Sequence, residues 1–411
     1  RASAGPASAV EPGPQRQFLS EVGRGFAGTK LRVVSEDTPP SRATRAIMQE
    51  EFERFTGIEV EWVQLPLYRA LAAVLADTGR RAGTHDVLYL DQAWLGRFVG
   101  DTLDHRALLD RRDLAYPGFD FDDLLPTLVA NVATYEGRLM GIPYDIPIFI
   151  MMYRRDVLEE LGIAVPRTMP EYLDAVRAVQ RARAPQIYGT TGQWTPETSA
   201  LECHATAWLW AHGGSIFGRG GAPAIGDARA EAAMAYLLEL GACMPPAVTG
   251  WGWDEEAASF AAGQAALYIS WNEQFPRFDD PRRSRIVGLA EAAPCPREVA
   301  LRPASECSFG ETPGISHQGG SCLAVSRYSR HPEAAWLFLQ WATSADVTVR
   351  AALLGGGASL IRRSSYDDPR VRAQAAVGPG TTRHLAATRD AIERRMGTEP
   401  HFAGWYALHL E

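Results

Sequence analysis

The sequence predicts an α/β fold of two lobes, each built on a mainly parallel central sheet. Three observations carry that prediction. At 411 residues the chain exceeds one ordinary core, so two bodies of roughly 150–200 residues are expected. Strand and helix patterns alternate from residue 30 onward, as a parallel, helix-covered sheet requires. A single stretch, Gly141–Asp156 (GIPYDIPIFIMMYRRD), reads as a strand that leaves one lobe and enters the other. Pro143 and Pro147 forbid a helix there, because each removes a backbone donor and fixes φ. Around them Ile146, Ile148, Phe149, Ile150, Met151, Met152 and Tyr153 form the apolar run of a strand buried on both faces, with Asp145 at the seam.

Composition narrows the function classes. With 46 % hydrophobic and 22 % charged residues the chain is globular. A net charge of −8, with Lys30 the sole lysine among its cations, argues against nucleic acid or an anionic membrane as the main partner. No run of 18 apolar residues exists to span a bilayer. The opening tract RASAGPASAVEPGPQ fits a tether after signal removal, or simply a boundary of the chain; residues 1–28 are read as tether and lead-in. Cys203, Cys243, Cys295, Cys307 and Cys322 show no zinc-type spacing. Cys295 with Cys307, and Cys203 with Cys243, are candidate disulfides, leaving Cys322 as a buried hydrophobe.

In order, KLRVVS is a first strand followed by the polar edge Glu36-Asp37-Thr38. ATRAIMQEEFERFTG is a helix stopped at Gly57, IEVEWVQ a strand, Tyr68–Thr78 a helix, and HDVLYLD a strand ending at Asp91. FDDLLPTLVANVATYEG reads as one helix before the crossing strand. Beyond it come the helices MPEYLDAVRAVQRAR, SALECHATAWLWAHGG, GDARAEAAMAYLLELGA and EEAASFAAGQ, then the strand AALYISW. IVGLAEA and GGSCLAVS are strands, HPEAAWLFLQWATS and DVTVRAALLGGG helices, and two further helices lie in the tail. Lobe 1 is placed at 29–145 plus 317–356 and lobe 2 at 146–316 plus 357–411, with passages near Ile146, Ser316 and Gly356.

No catalytic constellation stands out. GxSxG, a Walker loop, HExxH and an early GxGxxG are all missing. The histidines lack i,i+4 pairing, and the acid pairs at helix starts are explained by the helix dipole. Neither a metal nor a cofactor is expected. What recurs is tryptophan at loops and element ends: Trp194, Trp251, Trp253, Trp271 and Trp405. A loop indole can simply plug its loop against the core. Five together suit a neutral polyhydroxylated ligand, whose C–H face stacks on indole while amides and carboxylates satisfy its hydroxyls. Asp37, Asp91, Asp145, Gln193 and Asn272 supply such groups near strand ends, although Asp91 equally fits a capping role.

The order of motifs resembles the extracellular solute-binding proteins of ABC importers, in the carbohydrate-binding group that includes maltose-binding protein. FERFTGIEVEW, HDVLYLDQAWLGRFV, the passage from YEGRLMGIPYDIPIF to MPEYLDAV, GGSIFGRGGAPAIGDARAEAAMAYLLEL, FAAGQAALYISWN and GGSCLAVSRYSRHPEAAWLFLQWATS carry it, from Lys30 to Trp405. The resemblance implies a periplasmic-binding-protein-like pair of lobes joined by crossing hinge strands, and a cleft that closes on its ligand. It implies Asp37, Asp91 or Gln92, and Asp145 on one wall, with Trp194, Trp271 and Trp405 on the other. It further implies a sugar or sugar alcohol as ligand, membrane permease subunits as partners, a monomer, and a periplasmic or extracellular location with or without a lipid anchor. Two alternatives stay open: a carbohydrate-active enzyme using Asp37 and Asp145 as an acid–base pair, or a protein of the same shape for a polyamine, iron or a phosphate ester.

Overall fold

A computed structural model describes residues 13–355 and 359–408. Nine strands form its two main sheets: β1 (Lys30–Glu36), β2 (Glu59–Leu65), β3 (Val87–Asp91), β4 (Ile142–Asp145), β5 (Phe149–Arg154), β6 (Tyr188–Thr190), β7 (Ala265–Trp271), β8 (Ala290–Ala293) and β9 (Ser321–Val325). The first sheet runs β2-β1-β3-β9-β4 and the second β8-β5-β7-β6. Pairing is parallel for β1 with β2 and β3, and antiparallel for β9 with both of its neighbours. In the second sheet β5 is antiparallel to β7 and β8, while β6 is parallel to β7. In each sheet all strands but one therefore run in the same direction, and the reversed strand makes the antiparallel pairings. That strand is in each case the one that has just arrived from the other lobe.

Alternation along the strands sends side chains to two layers of helix, as a buried sheet requires. Leu31 and Val33 face a cluster with Ile47, Phe52, Trp336 and Phe338, whereas Val34, Leu88 and Leu90 face Leu71, Val74, Trp94 and Phe98. In β5, Phe149 and Met151 meet Tyr172, Val176 and Leu237, while Ile150 and Met152 meet Phe260 and Phe278. Apolar packing is continuous across the hinge through Ile146 and Ile148.

Two crossing segments are bonded to each other. Ile148 and Gln318 form an isolated antiparallel bridge, and Gly319 N donates to Pro147 O at 3.0 Å. Asn272 fastens the first crossing, its Oδ1 accepting from Ile148 N and its Nδ2 donating to Ser359 Oγ, both at 2.9 Å. The passage expected near Gly356 lies outside the described residues, as do residues 1–12 of the expected tether.

Several sequence expectations are corrected. The helix expected over FDDLLPTLVANVATYEG spans only Pro126–Val132. The chain then turns through Glu136 (φ 47°) and Gly137 (φ 80°) into a two-residue hairpin, Thr134–Tyr135 with Arg138–Leu139. The strand expected at IVGLAEA begins only at Ala290. Neither candidate disulfide forms: all five cysteines are free thiols, and Cys295 donates to Phe149 O instead. Residues of the tail make contacts on both sides. Arg362 donates to Thr343 O and Asp120 O on the first lobe, Arg383 pairs with Asp279 and Glu291 on the second, and Trp405 packs back beside Trp94 and Phe98.

Candidate functional site

Parallel strands deliver their carboxyl ends to one edge of a sheet, and here the edges of both sheets face each other. On the first lobe β1 ends in Glu36, β3 in Asp91 and β4 in Asp145. Thr38 caps the helix Pro39–Met48, its Oγ1 accepting from Ser41 N at 3.3 Å, with proline in the first turn where no donor is needed. Asp91 caps the following turn by accepting from Ala93 N at 2.8 Å. On the second lobe β7 ends in Trp271, and Trp253 opens the helix Trp253–Ala261.

These ends line a cleft of about 80 Å³ that is open to solvent on one side. Glu36, Thr38, Leu67, Asp91 and Gln92 line it from the first lobe. Ser199, Cys203, Trp253, Trp271 and Glu273 line it from the second, with Pro147, His317 and Gly319 at the crossings and Glu399 from the tail. A wider, more polar recess shares Glu36, Trp253 and Glu273 with it and adds Asp37, Arg42, Arg277 and Arg283. The walls touch: Tyr68 donates its hydroxyl hydrogen to Ser199 Oγ at 2.9 Å and accepts from Ser199 N at 2.9 Å.

Carboxylates dominate the electrostatics. Burial pushes the Glu36 carboxyl up to about 8, helped by the nearby charges of Asp145 and Asp91 and opposed by the Tyr89 hydroxyl 3.2 Å away. Burial likewise raises Asp145 to about 6. Glu273 is pushed well up by burial and then by Asp145 and Glu36. Among the described residues, no arginine or lysine lines the inner cleft. Arg42, in the outer recess, is held by Asp37 at 2.8 Å.

Of the sequence candidates, Asp91, Gln92, Trp253 and Trp271 line the cleft, and Asp37 lies in the outer recess. Asp145 sits at the seam, 2 % exposed, with its Oδ2 without a hydrogen-bond partner. Three others act through a neighbour. Gln193 is fully buried, accepts from the Trp271 indole N–H at 2.9 Å and donates to Ala200 O at 2.9 Å, so it fixes the indole. Asn272 spends both ends of its amide on the hinge. Trp405 is buried against the first lobe and donates to Glu399 Oε2 at 2.7 Å, while Glu399 Oε1 lies 3.1 Å from His317 Nε2. Trp194 and Trp251 are not brought to the cleft: both pack on the apolar cluster of the second lobe, Trp194 directly over Gly241. Their flanking glycines mark loops, and the loops fold inward.

Reasoning from sequence missed Glu36, Glu273, His317 and Glu399. Glu36 and Glu273 each adjoin a chosen residue, so the local polar cluster marked the place but not the member. His317 and Glu399 come from distant segments with no local pattern. Among the described residues one trio, Glu202, Cys203 and His317, places potential metal-ligand atoms within 4.8 Å of one another. Burial and the carboxylates of Glu202 and Glu399 push the Cys203 thiol well up, which opposes the thiolate a metal would need.

Residues 36–349 match the family model of the bacterial extracellular solute-binding proteins. A probable amino-acid ABC transporter periplasmic-binding protein of Sinorhizobium fredii is 24 % identical over 354 residues, covering 85 % of this chain and 76 % of its own. An ABC transporter solute-binding protein from Agrobacterium radiobacter K84, solved with ribitol, superposes with a TM-score of 0.78 at 21 % identity, covering 93 % of this chain and 91 % of the other. Maltose-bound T. maritima MalE3 superposes at 0.75 with 22 % identity, covering 93 % and 92 %. Among the described residues no helix is long and apolar enough to cross a membrane. The fold, the facing sheet edges and the family match agree, and the chain belongs to the bacterial extracellular solute-binding proteins.

Proposed function

We propose that this protein is the substrate-binding component of an ABC importer and captures a sugar or sugar alcohol by closing its lobes around it. The observation that carries the reading is the cleft itself: Trp253 and Trp271 offer flat apolar faces, while Gln92, Thr38, Ser199 and the carboxylates offer hydrogen-bonding groups. A polyol needs both, since each buried hydroxyl left unpaired costs about 1–3 kcal/mol. The relatives solved with ribitol and with maltose support the ligand class. Ligand contacts from both walls would bias an open–closed equilibrium toward the closed form, which the permease subunits would recognise. The crossings at 146–148 and 318–320 are the proposed hinges.

No chemistry is assigned to the cleft. An acid–base pair of Asp37 and Asp145 would have to flank one glycosidic bond, whereas Asp37 is exposed and ion-paired with Arg42 and Asp145 is buried at the seam. Export to the periplasm or cell exterior and a monomeric state belong to the same proposal. Thermal-shift measurement across ribitol, mannitol, maltose, other sugars and amines tests it, because a ligand specific for the folded state raises the melting temperature by mass action. Stabilisation by a hydroxylated compound is expected; shifts only with metals or simple amines would sink the reading.

A further inference from the structure

We infer that the solute carries an oxyanion beside its hydroxyl groups, as a sugar acid or a sugar phosphate does, and that the outer recess holds that anion through Arg277 and Arg283. This inference rests on the cleft being the solute site proposed above, and it names the chemistry of the solute's outer end.

The first observation is spatial. The outer recess holds about 560 Å³, against about 80 Å³ for the inner cleft. Glu36, Thr38, Trp253 and Glu273 line both, so the two form one path leading outward. A solute seated by a hydroxylated unit against Trp253 and Trp271 has room in the recess for a further group.

The second observation is how the charges of the recess are disposed. Four arginines line it. Arg42 is held by Asp37 at 2.8 Å. Arg282 is held by Asp280, whose carboxylate accepts from its backbone N, Nε and Nη2 at 2.9, 3.0 and 2.9 Å. The other two, Arg277 and Arg283, form no ion pair among the described residues, and Arg277 Nη1 reaches only a backbone oxygen, Asp254 O, at 3.5 Å. Of the remaining acids in the lining, Glu36 and Glu273 are raised toward the neutral form by burial, which leaves Asp254 facing two guanidiniums. Burial first, and then the charge of Arg283, hold Arg277 below the ordinary arginine range, with Asp254 a weaker opposing influence. Two guanidiniums that repel each other are relieved by an oxyanion, which accepts from both through bonds strengthened by charge. Arg277 is also well positioned for this: it sits on the helix Phe275–Phe278, whose two phenylalanines are fully buried, shortly after Trp271 closes β7.

Calorimetry on the purified chain, with matched sets, tests this. The sets are D-glucose with D-glucuronate and D-glucose 6-phosphate, D-sorbitol with D-gluconate and D-sorbitol 6-phosphate, and glycerol with glycerol 3-phosphate; inorganic phosphate is measured alone. The carboxylate and phosphate arms show which oxyanion fits. An anionic member of at least one set is expected to bind about tenfold or more tighter than its neutral partner at low salt. That ratio should fall as ionic strength rises. Arg277→Gln and Arg283→Gln should each shrink it while the circular dichroism spectrum stays unchanged; Arg283 is exposed, so its variant keeps the test valid even where loss of Arg277 disturbs folding. Neutral members binding as well as or better than anionic ones would overturn the inference and leave the sugar-importer reading standing. An advantage that survives both arginine substitutions, or inorganic phosphate binding as tightly as the sugar phosphates, would do the same. No binding by any hydroxylated compound, charged or neutral, would overturn both.

Discussion

The two walls of the cleft are built by the same device and finished in opposite ways. Each is the carboxyl edge of a mainly parallel sheet, yet the first lobe ends its strands in Glu36, Asp91 and Asp145 while the second ends β7 in Trp271 with Trp253 nearby. The indole wall is prepared before any ligand arrives: Trp271 is held by Gln193, which is held in turn by Ala200 O. The acidic wall is crowded, and its Glu36 and Asp145 carboxyls are raised by burial. One wall therefore provides shape, and the other provides carboxyl groups that burial shifts toward their protonated, hydrogen-bond-donating form.

Changes to each wall should separate these roles. The largest effect is expected from Trp271→Ala, since the ring is only 7 % exposed and also packs on Phe149 at 4.5 Å between centroids. It should lower unfolding free energy by about 3–5 kcal/mol, read by urea titration, and abolish ligand binding. Next comes the acidic wall. Because the folded Glu36 carboxyl titrates near 8 rather than 4.5, the folded state holds a proton that the unfolded chain releases. Its contribution is fully present below about 4.5 and is lost as pH rises through about 8, so the ligand-free protein should melt progressively lower from pH 5 to 8.5. Asp145, Asp91, Asp37 and Tyr89 surround this group, and Glu36→Gln should flatten the pH slope; an unchanged slope would refute the assignment.

Gln193→Ala should cost about 1–3 kcal/mol, because it strands the Trp271 indole N–H in a buried site. Its tryptophan fluorescence should shift as the ring loosens. The smallest change is Tyr68→Phe, which removes hydrogen bonding between the walls but leaves both intact. About 0.5–1.5 kcal/mol is at stake, so ligand affinity should fall about two- to tenfold while the melting temperature of the ligand-free protein barely moves.

Much of this frame was readable from residue order. The apolar runs at 33–34, 87–90, 149–152 and 265–269 are buried strands, and two prolines bracket the crossing at Ile146. What escaped the reading lies where local pattern and tertiary position part. The hairpin at 134–139 is illegible in the sequence because its two-residue strands offer no alternation to detect. Asp37 and Glu36 are adjacent acids, and only the end of β1 decides that Glu36 faces the cleft while Asp37 turns out to Arg42. Gln193 and Trp405 stand out by residue type and place, yet each reaches the cleft only through the residue it holds, Trp271 and Glu399. Glu399 and His317 meet only because the tail returns to pair residues 396–397 with 316–317. No neighbourhood in the chain announces that meeting.

The sole lysine has a practical consequence. Lys30 opens β1 and is well exposed, paired with Glu59 at 3.1 Å, while Glu36 closes the same strand inside the cleft. The strand's rise sets the two ends about 20 Å apart. A dye or solid support attached through this ε-amine is thereby anchored to the first lobe at a known point remote from the binding groups. Movement of the second lobe could then be followed against a fixed reference.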